Sequence, residues 1–464
     1  MMSIKKLPSN VLLEIFDYYR KDHNFDYMPV WRWHKLVHVC QSWRQIIFGS
    51  PRRLDLQLLC TRRTPVRESL DIWPPFPIAI QYYYNRTFTP SDADNFFAAL
   101  AHHGRIRQLD LYLTNLQLGE VTRLMQQPFP ALTRLTLQWV RESPTALPNG
   151  FLGGSAPCLQ HLHFERIPFP ALPALLLSTI DLVELTLGEI PLGGYISPES
   201  MATCLAALPR LKSFSIGSFS ATSHTDHMGP PPVTRSSLPA LIDFGFSGDS
   251  AYLEDLVARI DCPRLNWISI GYSNPLHDLQ LTQFFKFVDR SEDPEISLIK
   301  HADITFSSYS VDFQMYPRPE SSRHRGRVTI RIVCQQIERQ ALFVAQVFNQ
   351  PSTMLSRALH LKLSPDMDHF HGYEDDWLYL LRQFSIIRTL RVSREFVWPI
   401  TSVLEDATGD AVTEVLPAVD LIYLCGKPVP RVETFLAARL LSGQPVTIVD
   451  TQAEFDERVK SYVE

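Results

Sequence analysis

The sequence predicts an α/β chain: a small all-α three-helix module, then a curved solenoid whose repeats each supply one strand and a returning segment. Three observations carry this reading. A phrase of the form apolar-x-x-apolar-x-apolar occurs eight times, at Ile106/Leu109/Leu111, Leu132/Leu135/Leu137, Leu159/Leu162/Phe164, Leu182/Leu185/Leu187, Leu211/Phe214/Ile216, Leu241/Phe244/Phe246, Leu265/Ile268/Ile270 and Ile387/Leu390/Val392. The middle residues of the first seven lie 26, 27, 23, 29, 30 and 24 positions apart, a spacing that marks stacked repeats with one short strand each. Second, a proline stands just before the strand phrase in Pro157-Cys158-Leu159, Pro209-Arg210-Leu211, Pro239-Ala240-Leu241 and Pro263-Arg264-Leu265, where it stops a helix and biases its predecessor to an extended shape. Third, apolar residues before residue 50 recur at helical spacing.

The first element is a helix over PSNVLLEIFDYY, with Val11, Leu12, Ile15, Phe16 and Tyr19 periodic and Pro8 tolerated in its first turn. A polar turn-like segment, KDHNFDYMP, follows. The stretch WRWHKLVHVCQSWRQIIF then carries Leu36, Val37, Val39, Cys40, Trp43, Ile46 and Ile47, broken into two short helices near Cys40-Gln41. Three helices in so short a stretch make a very small core, which leans on a neighbour for part of its burial.

These residues carry a resemblance. Leu7-Pro8, then Leu12, Ile15 and Phe16, then Leu36-Val37-x-Val39-Cys40-x-x-Trp43-Arg44 resembles an F-box, and the continuation SPRRLDLQLLCTRRTPVRESLDIWPPFPIAI resembles the F-box proteins expanded in mushroom-forming fungi. The resemblance implies a three-helix adaptor that docks on the small Skp1 subunit of a cullin-RING ubiquitin ligase. It assigns that contact to Leu7, Pro8, Val11, Leu12, Ile15, Phe16, Leu36, Val39, Cys40 and Trp43. The sequence departs from the short family pattern by inserting Arg20 to Trp31 between the first two helices. Across the remainder the resemblance is to leucine-rich-repeat substrate receptors as an irregular class. The domain reading is therefore an adaptor over residues 1–50, a connecting segment and solenoid cap over 51–105, an irregular leucine-rich-repeat-like domain over 106–440 and a C-terminal cap over 441–464. An alternative is that the first helices only seal the solenoid, as any solenoid end requires.

Between the module and the array, Leu54 and Leu56 have the end of the repeat phrase and suggest a first strand. The run Trp73-Pro74-Pro75-Phe76-Pro77 reads as a rigid packed crossing. Ser91, with Asp94 three residues later, reads as the N-cap of a helix carrying Phe96, Phe97 and Leu100. Returning helices are expected over Val121–Gln127, from Pro198 through Leu208, and over Tyr252–Ile260. The stretches His224–Ser237 and Met315–Arg327 read as loops, the second locally basic. After residue 271 the regularity weakens: a helix is expected over Leu279–Val288, strands at Ile304–Phe306, Val328–Ile332, Leu359–Leu363, Leu390–Val392 and Ile422–Leu424, a helix over Val432–Leu441, a strand at Val446–Val449 and an amphipathic helix over Thr451–Tyr462.

Composition narrows the function. Of 464 residues, 45% are apolar and 20% charged, which is ample for a core, while the formal charge of -5 comes without a basic stripe interleaved with aromatics. Nucleic acid is not the expected partner. The seven cysteines are scattered without close pairs, unlike a disulfide framework or a structural zinc site, and point to a reducing compartment, cytoplasmic or nuclear. Met1–Lys6 leads into Leu7-Pro8-Ser9-Asn10 rather than an apolar run, so neither secretion nor membrane spanning is expected, and the triplet Asn85-Arg86-Thr87 carries little weight.

No phosphate-binding glycine loop, Gly-x-Ser-x-Gly elbow, His-Glu-x-x-His pair or kinase set occurs; Gly150–Gly154 and Cys425–Pro428 lack the rest of either glycine fingerprint. His34 and His38 share a helical face without a third ligand. The reading is a non-catalytic receptor with no cofactor, bringing a protein substrate to catalytic subunits by proximity. Strand periodicity places Gln108, Asp110, Tyr112, Arg134, Thr136, His161, His163, Glu184, Thr186 and Trp267 on one concave face, the expected substrate surface. The alternative is a solenoid that binds partners outside any ligase.

Overall fold

The computed structural model describes residues 7–21, 32–61, 66–82, 90–113, 115–139, 146–217, 234–273, 279–318, 326–334, 337–366, 374–407, 411–425 and 432–450. All but Lys21 of the expected turn over 21–29, the triplet at 85–87, most of the 224–237 stretch and the terminal helix over 451–462 lie outside them. Two compact units, residues 1–195 and 196–464, divide the chain.

In the first unit the expected three helices form, α1 (Ser9–Lys21), α2 (Arg32–Val37) and α3 (Gln41–Phe48). Cys40 sits at the N-cap of α3, its Sγ accepting the Trp43 N–H at 3.5 Å. The apolar cluster these helices build, Leu12, Leu13, Phe16, Trp33, Val37 and Ile47, also contains Leu54, Leu56, Leu58 and Phe76. The buried Trp33 indole donates to the Gln57 carbonyl at 3.1 Å. Helices this short cannot close a core alone, so the chain after residue 50 completes it.

Leu54 and Leu56 lie in turns closed by Leu54 N–H to Ser50 O (3.2 Å) and Leu56 N–H to Pro51 O (2.9 Å), and not in the strand their pattern suggested. The first strand, β1 (Leu58–Cys60), starts two residues later. There follow α4 (Val66–Ile72), β2 (Ile78–Tyr82), α5 (Pro90–Leu100), β3 (Ile106–Leu113), α6 (Asn115–Leu124), β4 (Arg134–Trp139), β5 (His161–Glu165), α7 (Leu172–Leu176) and β6 (Glu184–Gly188). Ser91 lies within α5, which begins at Pro90, so it is not the N-cap; α6 likewise opens earlier than Val121. Strands β1 to β6 pair in parallel and in sequence order.

In the second unit lie α8 (Pro198–Ala206), β7 (Ser213–Gly217), β8 (Ser236–Ser237), β9 (Asp243–Gly248), α9 (Ser250–Arg259), β10 (Ile260–Asp261), β11 (Trp267–Ser273), α10 (Thr282–Asp289) and α11 (Pro294–Ser297). They continue into β12 (His301–Phe306), β13 (Ser310–Tyr316), β14 (Arg327–Val333), α12 (Ile337–Phe348), β15 (His360–Pro365), α13 (Glu374–Gln383), β16 (Thr389–Val392), α14 (Arg394–Asp406), α15 (Ala411–Glu414), β17 (Leu421–Leu424), α16 (Glu433–Leu441) and β18 (Thr447–Asp450). The strand order is β7-β9-β11-β14-β13-β12-β15-β16-β17-β18. The array is parallel except where β13 runs antiparallel to both β12 and β14. Met315 is therefore the end of a strand, not the start of a loop.

The proline punctuation has a definite geometry. Leu132 N–H donates to Phe129 O (3.1 Å), Leu159 to Ala156 (3.1 Å), Leu211 to Leu208 (3.2 Å), Leu241 to Leu238 (3.2 Å) and Leu265 to Cys262 (3.2 Å). Each closes a four-residue turn whose second position is proline, with φ preset for it. The residues on either side of the turn are buried, so the turn delivers each strand phrase into the core in register. Both units are thus mixed α/β stacks of repeats, one strand face packed under apolar residues and the other open.

Candidate interaction surfaces

Along β3 to β6 the apolar members of each phrase are buried, and the residues between them form rows across the open face. One row is Gln108, Arg134, His161 and Glu184; the next is Asp110, Thr136, His163 and Thr186. All eight are half-buried, as is Tyr112 in the third row, so the nine predicted residues of the first unit come together on one face. The third row, Tyr112, Gln138, Glu165 and Gly188, adds two polar side chains that the sequence reading left out of the site. Their signal was the same alternation.

Polar contacts tie this face together. His161 Nδ1 lies 2.9 Å from Glu184 Oε2, and the Gln138 amide donates to His163 Nε2 at 3.2 Å. Glu165 Oε2 is 3.7 Å from His163 Nε2, and its carboxylate lies where a side chain at residue 188 would stand, which only Gly188 leaves open. Burial holds the His163 imidazole below the usual histidine range despite the nearby Glu184 and Asp110 carboxylates. A neutral ring has an acceptor nitrogen, which is what the Gln138 amide requires. Burial, then the Glu189 charge, pushes the Glu165 carboxyl up. Among the described residues no group of three or more His, Cys, Asp or Glu side chains is placed to hold a metal.

In the second unit Trp267 stands on the open face of β11, beside Asp243 of β9 and Arg327 of β14, and is half-buried, not part of the core. The same face continues over the antiparallel insertion with Tyr316, His301, His360, Lys362, Arg391 and Tyr423. Sequence reasoning named the strand phrases that carry His360, Lys362, Arg391 and Tyr423 but not their open-face residues, and it missed β13, which carries Tyr316, because it read the chain from Met315 onward as a loop.

The residues assigned to Skp1 divide into three sets, buried, partly buried and exposed. Leu12 and Phe16 are 4% and 1% exposed and hold the three helices together, so they offer no area to another protein. Leu7, Leu36 and Trp43 pack partly against the same cluster, with the Trp43 and Phe16 rings 4.7 Å apart, and Cys40 is half-buried as the cap of α3. Val11, Ile15 and Val39 are exposed, and Pro8 lies at the exposed start of α1. Tyr18, which was not among the predicted residues, extends the exposed stripe of α1 at 78% exposure.

No described protein family matches the chain, and no curated protein matches it in sequence. Among solved structures it is similar to the leucine-rich repeat-containing protein LegL7 from Legionella pneumophila, at 15% identity over 74% of this chain and 92% of that one, with a TM-score of 0.27. A second is TLR13 in complex with ssRNA13, at 13% identity over 79% of this chain, with a TM-score of 0.29; the chain spans 45% of that protein's length.

Proposed function

We propose that this chain is a non-catalytic binding protein that takes up protein partners on the open faces of its stacked strands. The observation that carries this reading is the register of half-buried polar side chains on β3 to β6, a wide surface fixed by backbone pairing beneath it. A face of polar residues with aromatic members suits protein recognition, where such anchors carry binding energy. The test is affinity capture from native cells with the wild-type chain and with His163→Ala and Trp267→Ala. Captured proteins that are lost in either variant, at an unchanged melting temperature, support the reading; identical capture by all three chains refutes it.

A second reading is favoured by one feature, the exposed apolar stripe Val11, Ile15 and Tyr18 on α1 with Val39 beyond α2. Under it the helices dock on a Skp1-like adaptor, and through it on cullin and RING subunits, in the cytoplasm or nucleus. The chain would then be the substrate-recognition subunit of an SCF-type ubiquitin ligase. Scoring the same capture for Skp1 and cullin tests it. Recovery of neither sinks the ligase role and leaves the binding role standing.

A further inference from the structure

The open face of the second unit carries three cations, Arg327, Lys362 and Arg391, that make no ion-pair contact among the described residues, although Asp303 lies beside Lys362 in register. Two of its carboxylates are engaged within the sheet: Asp312 accepts two hydrogen bonds from the Arg331 guanidinium, both at 2.7 Å, and Asp303 Oδ1 accepts the Tyr316 hydroxyl at 2.8 Å. Among the described residues, no carboxylate lies within ion-pair reach of Arg327, Lys362 or Arg391. Lys362 and Arg391 are paired in register on β15 and β16, so their side chains leave the sheet as neighbours. The Arg391 guanidinium lies over the Tyr423 ring at 5.6 Å, a contact that holds its plane while leaving its N–H groups free to donate. Between these cations and Arg327 the rings of Tyr316, His301 and His360 stack in a line, with centroids 5.6 and 4.7 Å apart and planes within 8° and 20° of parallel. The result is a row of stacked rings across three strands with cations at both ends.

We propose that this face binds an extended acidic peptide segment of a partner protein, a proposal that rests on the binding role above and names its ligand chemistry. Acidic side chains near one end of the segment meet Lys362 and Arg391, one near the other end meets Arg327, and the residues between lie over the stacked rings. The dimensions agree: β14 to β16 is four strand spacings, about 19 Å, which an extended chain crosses in roughly six residues. A single-stranded nucleic acid fits less well, because Asp303 and Asp312 stand between the cations and would face a continuous phosphate backbone. Separate acidic side chains avoid them.

The test uses the full chain against a randomised eight-residue peptide library. Enrichment of Asp and Glu is expected in the selected peptides, with binding that weakens as salt rises. The double variant Lys362→Glu/Arg391→Glu should bind them about tenfold more weakly or worse, and the milder Lys362→Gln/Arg391→Gln should show a smaller loss at an unchanged melting temperature. Selection of neutral or basic peptides, equal binding by the double variants, or binding of labelled oligouridylate in preference to acidic peptides would each overturn the proposal. Any of these leaves the binding role intact as long as native partners are still captured in a manner sensitive to His163 or Trp267.

Discussion

The buried Glu254 carboxylate on α9 accepts the backbone N–H of Phe284 at 2.8 Å and that of Gln283 at 2.7 Å, and so caps the helix of the next repeat. Helix α10 needs this, because Leu281 at its N-cap position has no side chain that could accept. A carboxylate at a helix N-terminus also meets the positive end of the helix dipole. Replacing Glu254 with alanine should cost about 2–3 kcal/mol, since the buried Phe284 N–H and the part-buried Gln283 N–H lose their acceptor. Glu254→Gln keeps one acceptor oxygen and should cost less. Urea unfolding measures both, and equal stability of the alanine variant would refute the capping role.

How far such relationships could be read beforehand depends on their range. The strand phrases from Ile106 to Ile270 were legible because burial on one face imposes alternation at every repeat, and the proline turns were legible because proline is visible as a letter. Glu254 was not: nothing in its own helix announces that its partner lies near residue 284. Strand β13, between the expected strands β12 and β14, was hidden for another reason. Val311, Phe313 and Met315 alternate as a strand should, but the repeat phrase is absent there, and the charged residues after Met315 outweighed the short run before it. Helix α1 shows a third limit. Apolar residues surround it at Val11, Leu12, Leu13, Ile15, Phe16 and Tyr18, so periodicity could not distinguish its core side from its open side; only the packing of α2 and α3 decides.

The turn prolines give an additive test. At Pro209 and Pro239 the ring presets φ in the unfolded chain as well as in the turn, so each proline narrows the ensemble that folding must order. Alanine at either position should lower stability by about 0.4–1 kcal/mol. The sites share no contact that the substitution removes, so the double variant should show the sum. A loss well above the sum in urea unfolding would mean that these turns act together and not one by one.

His34 predicts a pH dependence. Its ring lies 3.8 Å from that of Trp33 and 5.1 Å from that of Trp73, and burial, then the nearby His38, lowers its pKa to about 4. The unfolded chain, with an ordinary histidine near 6.5, binds more protons than the folded one between those values. Stability should therefore fall as pH is lowered from about 6.5 towards 4. Comparing melting temperatures of the wild type and His34→Gln across that range isolates the contribution: the variant should show the shallower decline, and parallel curves would refute it.

The two faces of α1 separate adaptor binding from folding. Leu12 is a core residue, so Leu12→Ala should cost about 2–5 kcal/mol and loosen the three helices together with the segment around Leu56 and Phe76 that shares their cluster. Any loss of a partner in that variant would follow from unfolding and would say nothing about contact. Ile15 and Val39, at 41% and 58% exposure, have little packing to lose. The double variant Ile15→Asp/Val39→Asp should keep the far-ultraviolet circular dichroism and melting temperature of the wild type, yet fail to capture a Skp1-like adaptor, because two carboxylates would be desolvated in an apolar interface. Retained capture at wild-type affinity would show that the exposed stripe of α1 is not the docking surface, and with it the ligase reading of these helices would fall.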